Sequence, residues 1–196
     1  VTKPPYPAVK GIAGLPTVVN NVETLVNIRD IVNNGPLWFR NIGTETSKGT
    51  KLFSLSGKIK NCGVIEVEMG TSFRNIIFDI GNGIKDNNEF KALLVGGPSG
   101  FFIPEHKLDI EVDYDKMQDD NIALGSGGLL VIDQTACIVD IVKFFMNFAA
   151  KESCGKCIPC REGTKIMSDI MNSITYRPVS SSKHETLERF KGVMQL

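Results

Sequence analysis

One stretch constrains this chain more than any other: Glu152-Ser153-Cys154-Gly155-Lys156-Cys157-Ile158-Pro159-Cys160-Arg161-Glu162-Gly163. Three of the five cysteines fall here, spaced C-x2-C-x2-C. Packing needs no such regularity, whereas ligation does, because thiolates must converge on one centre. On a single continuous helix each cysteine would be turned about 300° from the last, leaving the third about 120° from the first. Convergence therefore requires a loop. Gly155 permits unusual backbone angles, and Pro159 suits the first turn of a following helix. Cys160 then sits in that first turn, where free N–H groups and the positive end of the helix dipole face the site. Lys156 and Arg161 add positive charge. Such a setting favours an anionic thiolate centre and its more negative, reduced state, which raises the reduction potential.

An iron–sulfur cluster usually takes four cysteines, and this stretch supplies three. The ferredoxin run continues x3-C-P, but the residue at that place is Thr164. Zinc is the structural alternative, although zinc sites usually pair two ligands with two distant ones. Cys137 lies at the far end of a helical stretch, some 20 Å away at about 1.5 Å per residue. Cys62, in the turn Asn61-Cys62-Gly63, is no better placed as a fourth ligand. His106 and His184 are isolated and carry no ligand spacing.

The remaining composition excludes more than it selects. Lysine plus arginine equals aspartate plus glutamate, 22 each, across 196 residues. That balance gives no support to nucleic-acid binding or a polybasic membrane role. No apolar run reaches the length of a membrane span, and there is no signal-peptide pattern. An odd number of cysteines, mostly clustered, fits reduced thiols in a cytoplasmic setting better than a disulfide framework.

Ahead of the cysteine stretch the chain divides by pattern. Lys3 to Pro16 reads as loop, and Val18-Val19 as the end of a short strand. Asn20 or Asn21 caps a helix running to about Asn33, stopped by Gly35. That Asn-rich turn has two readings: a capped helix, or a turn presenting amides and N–H groups to a phosphate or flavin. From Lys51 short strands follow, at 52–59, 64–69, 91–95 and 129–133. A short helix carries Phe73, Ile76, Ile77 and Ile80 on one face, ended by Gly81. This order suggests a β-grasp-like unit. Gly96-Gly97-Pro98-Ser99-Gly100 lacks the ending of a P-loop and reads as a structural turn. Gly125-Ser126-Gly127-Gly128 reads as a place where two backbones come close.

From Cys137 the pattern is helical. Cys137 to Lys151 is apolar except for a narrow stripe of Asp140, Lys143, Asn147 and Lys151, which predicts a helix central to a bundle with core aromatics. A second helix, Pro159 to Ile174, buries Ile166, Met167, Ile170, Met171 and Ile174. Ser182-Lys183-His184-Glu185 is a capping box for a third helix, with Leu187, Phe190, Val193 and Met194 inward.

Three of these segments occur together and in the same order in one family: Asn20-Asn21-Val22-Glu23-Thr24, Gly125-Ser126-Gly127-Gly128 and Glu152 to Thr164. The chain resembles the C-terminal part of the flavin-bearing, NADH-oxidising subunit of respiratory complex I. The same subunit occurs in NAD(P)-dependent iron-only hydrogenases and formate dehydrogenases. The resemblance implies an α+β chain in parts. Residues 1–49 would end an FMN-binding α/β domain, and 50–105 would form a soluble-ligand-binding β-grasp domain. Residues 106–134 would connect through the GSGG strand, and 135–196 would form a helical bundle for a [4Fe–4S] cluster. It further implies that Asn20, Asn21 and Thr24 contact FMN, and that Cys154, Cys157 and Cys160 bind the cluster. The implied activity is transfer of electrons between NAD(P)(H), FMN and the cluster, and on to partner subunits. Those partners would be a thioredoxin-like [2Fe–2S] subunit and a further iron–sulfur subunit, in the cytoplasm or peripheral to a membrane. The family's glycine-rich nucleotide segment and its fourth cluster cysteine are expected before Val1 and after Leu196, so a piece bounded by these residues would be inactive alone. A non-catalytic β-grasp module with a structural zinc site is the competing expectation.

Overall fold

Strand β1 (Thr50–Gly57) alternates inward and outward residues, placing Lys51, Phe53 and Leu55 on its buried face. β2 (Gly63–Glu68) pairs with it antiparallel, from Thr50↔Glu68 to Leu55↔Gly63. On the other side of β1 lies β5 (Gly128–Asp133), parallel, with Ser54 opposite Gly128 and Gly57 opposite Val131. β3 (Phe90–Val95) runs antiparallel to β5, and β4 (Phe101–Ile103) runs antiparallel to β3. The result is a five-stranded mixed sheet of order β2-β1-β5-β3-β4.

The computed structural model describes residues 4–176. They fall into two units, one up to Asp133 and one from Gln134 onward. In the first, α1 (Val22–Asn34) and α2 (Pro36–Arg40) precede the sheet. A short helix α3 (Phe73–Asn75) continues as a π-helical turn (Ile76–Ile80), and α4 (Tyr114–Asp119) follows β4. The core joins Phe53 and Leu129 of the sheet to Phe73, Ile76, Leu108 and Met117, all buried. Leu108 and Met117, between β4 and β5, thus belong to the core.

Several local expectations are met. Asn21 caps α1, and Gly35 stops it. The Gly96–Gly100 segment forms a 3-10 turn whose Gly100 N–H donates to the Gly97 carbonyl. At Gly127, where φ is +84°, an added Cβ would stand 2.3 Å from the Leu52 carbonyl oxygen. The GSGG segment therefore brings two backbones together, and Ser54 N–H donates to the Gly127 carbonyl at 2.9 Å.

Other expectations need correction. Ile80 does not share the buried face of Phe73, Ile76 and Ile77. The π turn is the cause: Gly81 N–H reaches back five residues to the Ile76 carbonyl, which breaks the 3.6-residue period. Val18 and Val19 are exposed and outside any strand, because no sheet strand lies beside them among the described residues.

The second unit contains α5 (Ile138–Glu152), a π-helical turn (Pro159–Gly163) and α6 (Thr164–Tyr176). The polar stripe of α5 is wet only at its ends: Asp140 and Lys151 are exposed, while Lys143 and Asn147 are half-buried and bond to α6. Ser168 of α6, itself buried, donates to Asn147 Oδ1 at 2.5 Å, and Lys143 Nζ donates to Thr175 Oγ1 at 3.2 Å. Phe144 is instead 64% exposed, and Phe148 is also exposed, contrary to the core role expected of them. The reason is chemical matching: α6 offers hydroxyls where α5 offers Lys143 and Asn147. On α6, Ile170 and Met171 are buried, whereas Ile166 is exposed. The expected third helix lies outside the described residues. Among the described residues no helix is long and apolar enough to cross a membrane.

Candidate metal and cofactor centre

The cysteine loop begins where α5 ends. Ser153 is the extended C-cap of α5, and Gly155 turns the chain with φ +74°. The chain then re-enters helix at the π turn, with Pro159 in its first positions and Cys160 beside it. Arg161 N–H donates to the Cys157 carbonyl at 2.9 Å, and Thr164 Oγ1 donates to the Cys160 carbonyl at 2.6 Å. The loop-plus-helix-start expected for this motif is what forms. All five cysteines are unbridged and exposed.

Cys154, Cys157 and Cys160 therefore sit on one loop as accessible thiols. The sulfurs are not gathered: among the described residues, no three His, Cys, Asp or Glu groups converge closely enough to hold a metal ion. The donor chemistry fits a thiolate-ligated cluster. The charge expected from Arg161 is partly neutralised inside the loop. Its Nε donates to Glu162 Oε1 at 2.8 Å, and its Nη1 donates to the Gly155 carbonyl at 2.9 Å. The first of these bonds, with the Arg161 charge, holds the Glu162 carboxyl below its usual range. Cys137 is the N-cap position of α5, with the fifteen-residue helix Ile138–Glu152 between it and the loop. Cys62 is exposed in the turn between β1 and β2, with its Sγ 3.6 Å from the Ile59 carbonyl.

At the start of α1, Asn21 Oδ1 accepts the backbone N–H of Glu23 at 2.8 Å and of Thr24 at 3.3 Å. Asn20 Oδ1 accepts the Asn21 N–H at 2.8 Å. The capped-helix reading is thus correct. The cap consumes two of the helix's free N–H groups, so a phosphate or polyol would be met by the side-chain amides of Asn20 and Asn21 and the Thr24 hydroxyl. All three residues are exposed, and Asn21 lines a cleft of about 520 Å³ together with Glu23, Val26, Lys51 and Ser126.

Two residues of this region escaped the sequence reading. Glu23 Oε1 accepts the Leu52 N–H at 2.8 Å, and its other oxygen pairs with the Lys51 ammonium. Burial alone would raise the Glu23 carboxyl, but the hydrogen bonds from Lys51 and Leu52 and the Lys51 charge bring it below its usual range. An acidic residue in the first helical turn was visible in the sequence; its partner, a lysine alternating with core residues, was not.

Residues 140–196 match the family model of the NADH-ubiquinone oxidoreductase-F iron-sulfur binding region. The chain is accordingly homologous to F-type oxidoreductase subunits, and its residues 140–196 correspond to the region that this family model describes as iron-sulfur binding. Among curated relatives, it is 47% identical to the NADP-reducing hydrogenase subunit HndC of Solidesulfovibrio fructosivorans, over all of this chain and 39% of that protein. It is 40% identical to the second F-type NADH-quinone oxidoreductase subunit of Rhizobium meliloti, over 97% of this chain and 46% of that protein. The crystal structure of an NAD+-reducing [NiFe]-hydrogenase in the air-oxidised state superposes with a TM-score of 0.81 at 34% identity, covering 98% of this chain and 32% of that one. The chain spans less than half the length of these relatives.

Proposed function

We propose that the protein passes electrons between NAD(P)(H) and partner subunits by way of FMN and a [4Fe–4S] cluster. The observation that carries this reading is the loop of three accessible thiols, Cys154, Cys157 and Cys160, inside the region matched to an iron–sulfur binding family. Bound there, the flavin and the cluster would supply the change from two-electron hydride chemistry to single-electron steps. The three cysteines would each contribute a thiolate, with a fourth ligand from elsewhere in the protein. Asn20, Asn21 and Thr24 would donate hydrogen bonds to the flavin's phosphate and ribityl chain. Lys156 and the N–H groups at the helix start would favour negative charge on the centre.

Topology and kinship support the remaining parts of this function. The hairpin β1–β2, the crossing helix and the parallel return of β5 beside β1 support a β-grasp domain over 50–105, with 106–134 completing its sheet. Residues 1–49 would then end the flavin domain, and 135–196 would form the cluster bundle. The relatives are named as subunits, which supports partners within a larger assembly. By the family resemblance those partners would be a thioredoxin-like [2Fe–2S] subunit and a further iron–sulfur subunit.

The test is metal and sulfide analysis of the full-length protein after anaerobic reconstitution, with Cys154→Ser, Cys157→Ser and Cys160→Ser beside the wild type. The expected result is about four irons and four sulfides per wild-type chain, lost or converted in each variant. Stoichiometric zinc with no iron or sulfide overturns the cluster and leaves a structural zinc module. For the flavin, Asn21→Ala with Thr24→Ala is expected to lower bound FMN, and unchanged flavin content overturns that assignment.

A further inference from the structure

The residue just before the first cysteine is tied to the last one. Ser153 Oγ lies 3.4 Å from Cys160 Sγ, and the same oxygen accepts the Gly155 N–H at 3.2 Å. Arg161, the neighbour of Cys160, donates to the Gly155 carbonyl at 2.9 Å. The segment 153–155 and the turn at 160–161 are therefore laced together at two points. Among the described residues no side chain stands in the same way on Cys154 or Cys157. A loop that only had to supply thiols would need no hydroxyl on one of them.

We propose that Ser153 is a positioning residue for the metal centre: its hydroxyl orients Cys160 and donates a hydrogen bond to that sulfur once it is a thiolate ligand. The inference rests on the reading of Cys160 as a ligand. A ligating thiolate carries no proton, so in that state only Ser153 can donate. The Gly155 N–H already occupies an acceptor side of the serine oxygen, which leaves the O–H proton for sulfur. Hydrogen bonds to ligand sulfurs set cluster potential, because they stabilise the more negative, reduced state. Ser153 should thus hold the midpoint potential higher than a site without it, acting on one of the three cysteines alone.

The experiment uses the full-length protein carrying its cluster, with Ser153→Thr and Ser153→Val compared to wild type. The two replacements have the same shape and differ in the hydroxyl. Iron and sulfide per chain are measured first, then the midpoint potential by redox titration followed by electron paramagnetic resonance. Ser153→Thr is expected to keep the cluster and a potential near wild type, and Ser153→Val to keep the cluster with its potential shifted more negative. Loss of the cluster from Ser153→Val alone also supports the proposal. Equal potentials in Thr and Val variants that both hold the cluster overturn the role of Ser153, as does cluster loss from both. A wild-type protein without iron and sulfide, or a cluster unaltered by Cys160→Ser, overturns instead the ligand assignment on which the role depends.

Discussion

Glu23, in the first turn of α1, joins that helix to Lys51 on β1: its carboxylate takes the Lys51 ammonium with one oxygen and the Leu52 N–H with the other. α1 buries none of its own residues, so this link decides where the Asn20-Asn21 turn stands relative to the sheet. Lys51 is only 6% exposed. Removing one partner leaves the other charge desolvated, which costs far more than removing both. Glu23→Ala should therefore lower stability by about 2–3 kcal/mol, and Glu23→Ala with Lys51→Met should recover most of that loss. A double-mutant cycle in urea checks this, and additive losses would show that the pair is not coupled.

A fully buried carboxylate lies in the same unit. Asp113 caps α4 by accepting the Asp115 and Lys116 N–H groups at 3.0 and 3.1 Å. It also accepts the hydroxyls of Thr44 and Thr46. Burial alone would raise this carboxyl, but the hydrogen bonds from Thr44, Lys116, Thr46 and Asp115 bring it to about 2. The folded value lies below the unfolded one of about 3.9. Its stabilisation is therefore fully present above about pH 4 and is lost as pH falls through about 2. That loss should amount to about 2–3 kcal/mol. Denaturant midpoints measured from pH 5 to pH 2 should fall over this window, and Asp113→Asn should flatten the fall.

How much of this was legible in the sequence follows from how local each feature is. The Asn21 cap, the Gly35 stop and the loop at Gly155 depend on neighbours within a few residues, and all three were readable. The sheet order was not, because β1 and β5 pair in parallel across more than seventy residues and nothing in either strand names its partner. Asp113 was missed because its hydroxyl partners are distant in sequence. Its partners Thr44 and Thr46 lie more than sixty residues away, and no local pattern pairs them with it. At the cysteine loop the ligand candidates were plain, while Ser153 on Cys160 and Arg161 on Gly155 depend on how the turn closes.

Gly127 and Gly128 offer a neighbouring pair with opposite demands. A Cβ at Gly127 would meet the Leu52 carbonyl oxygen at 2.3 Å, in a residue with φ +84°. At Gly128 nothing lies within 4 Å of an added Cβ, and φ is not in the left-handed region. Gly127→Ala must push β5 from β1 or strain the turn, and should cost about 3 kcal/mol or more. Gly128→Ala should change stability by no more than about 1 kcal/mol. Equilibrium unfolding of the two variants checks the contrast, and similar losses would mean that the close approach of the two backbones does not limit position 127.

The contact between α5 and α6 gives the last prediction, because it reverses the usual expectation for an apolar helix. Asn147 accepts the hydroxyl of buried Ser168, whereas Phe144 is mostly exposed. Asn147→Leu would leave the Ser168 hydroxyl without its acceptor inside the contact, at a cost of about 1–3 kcal/mol. Phe144→Gln removes a side chain that already meets water, and should stay within about 0.5 kcal/mol of wild type. Replacing Asn147 and Ser168 together, by Leu and Ala, should recover part of the first loss, since no polar group is then stranded. Unfolding followed by hydrogen exchange of α5 and α6 amides separates these outcomes. A larger loss from Phe144→Gln than from Asn147→Leu would show that the aromatic stripe, and not the polar one, holds the two helices together.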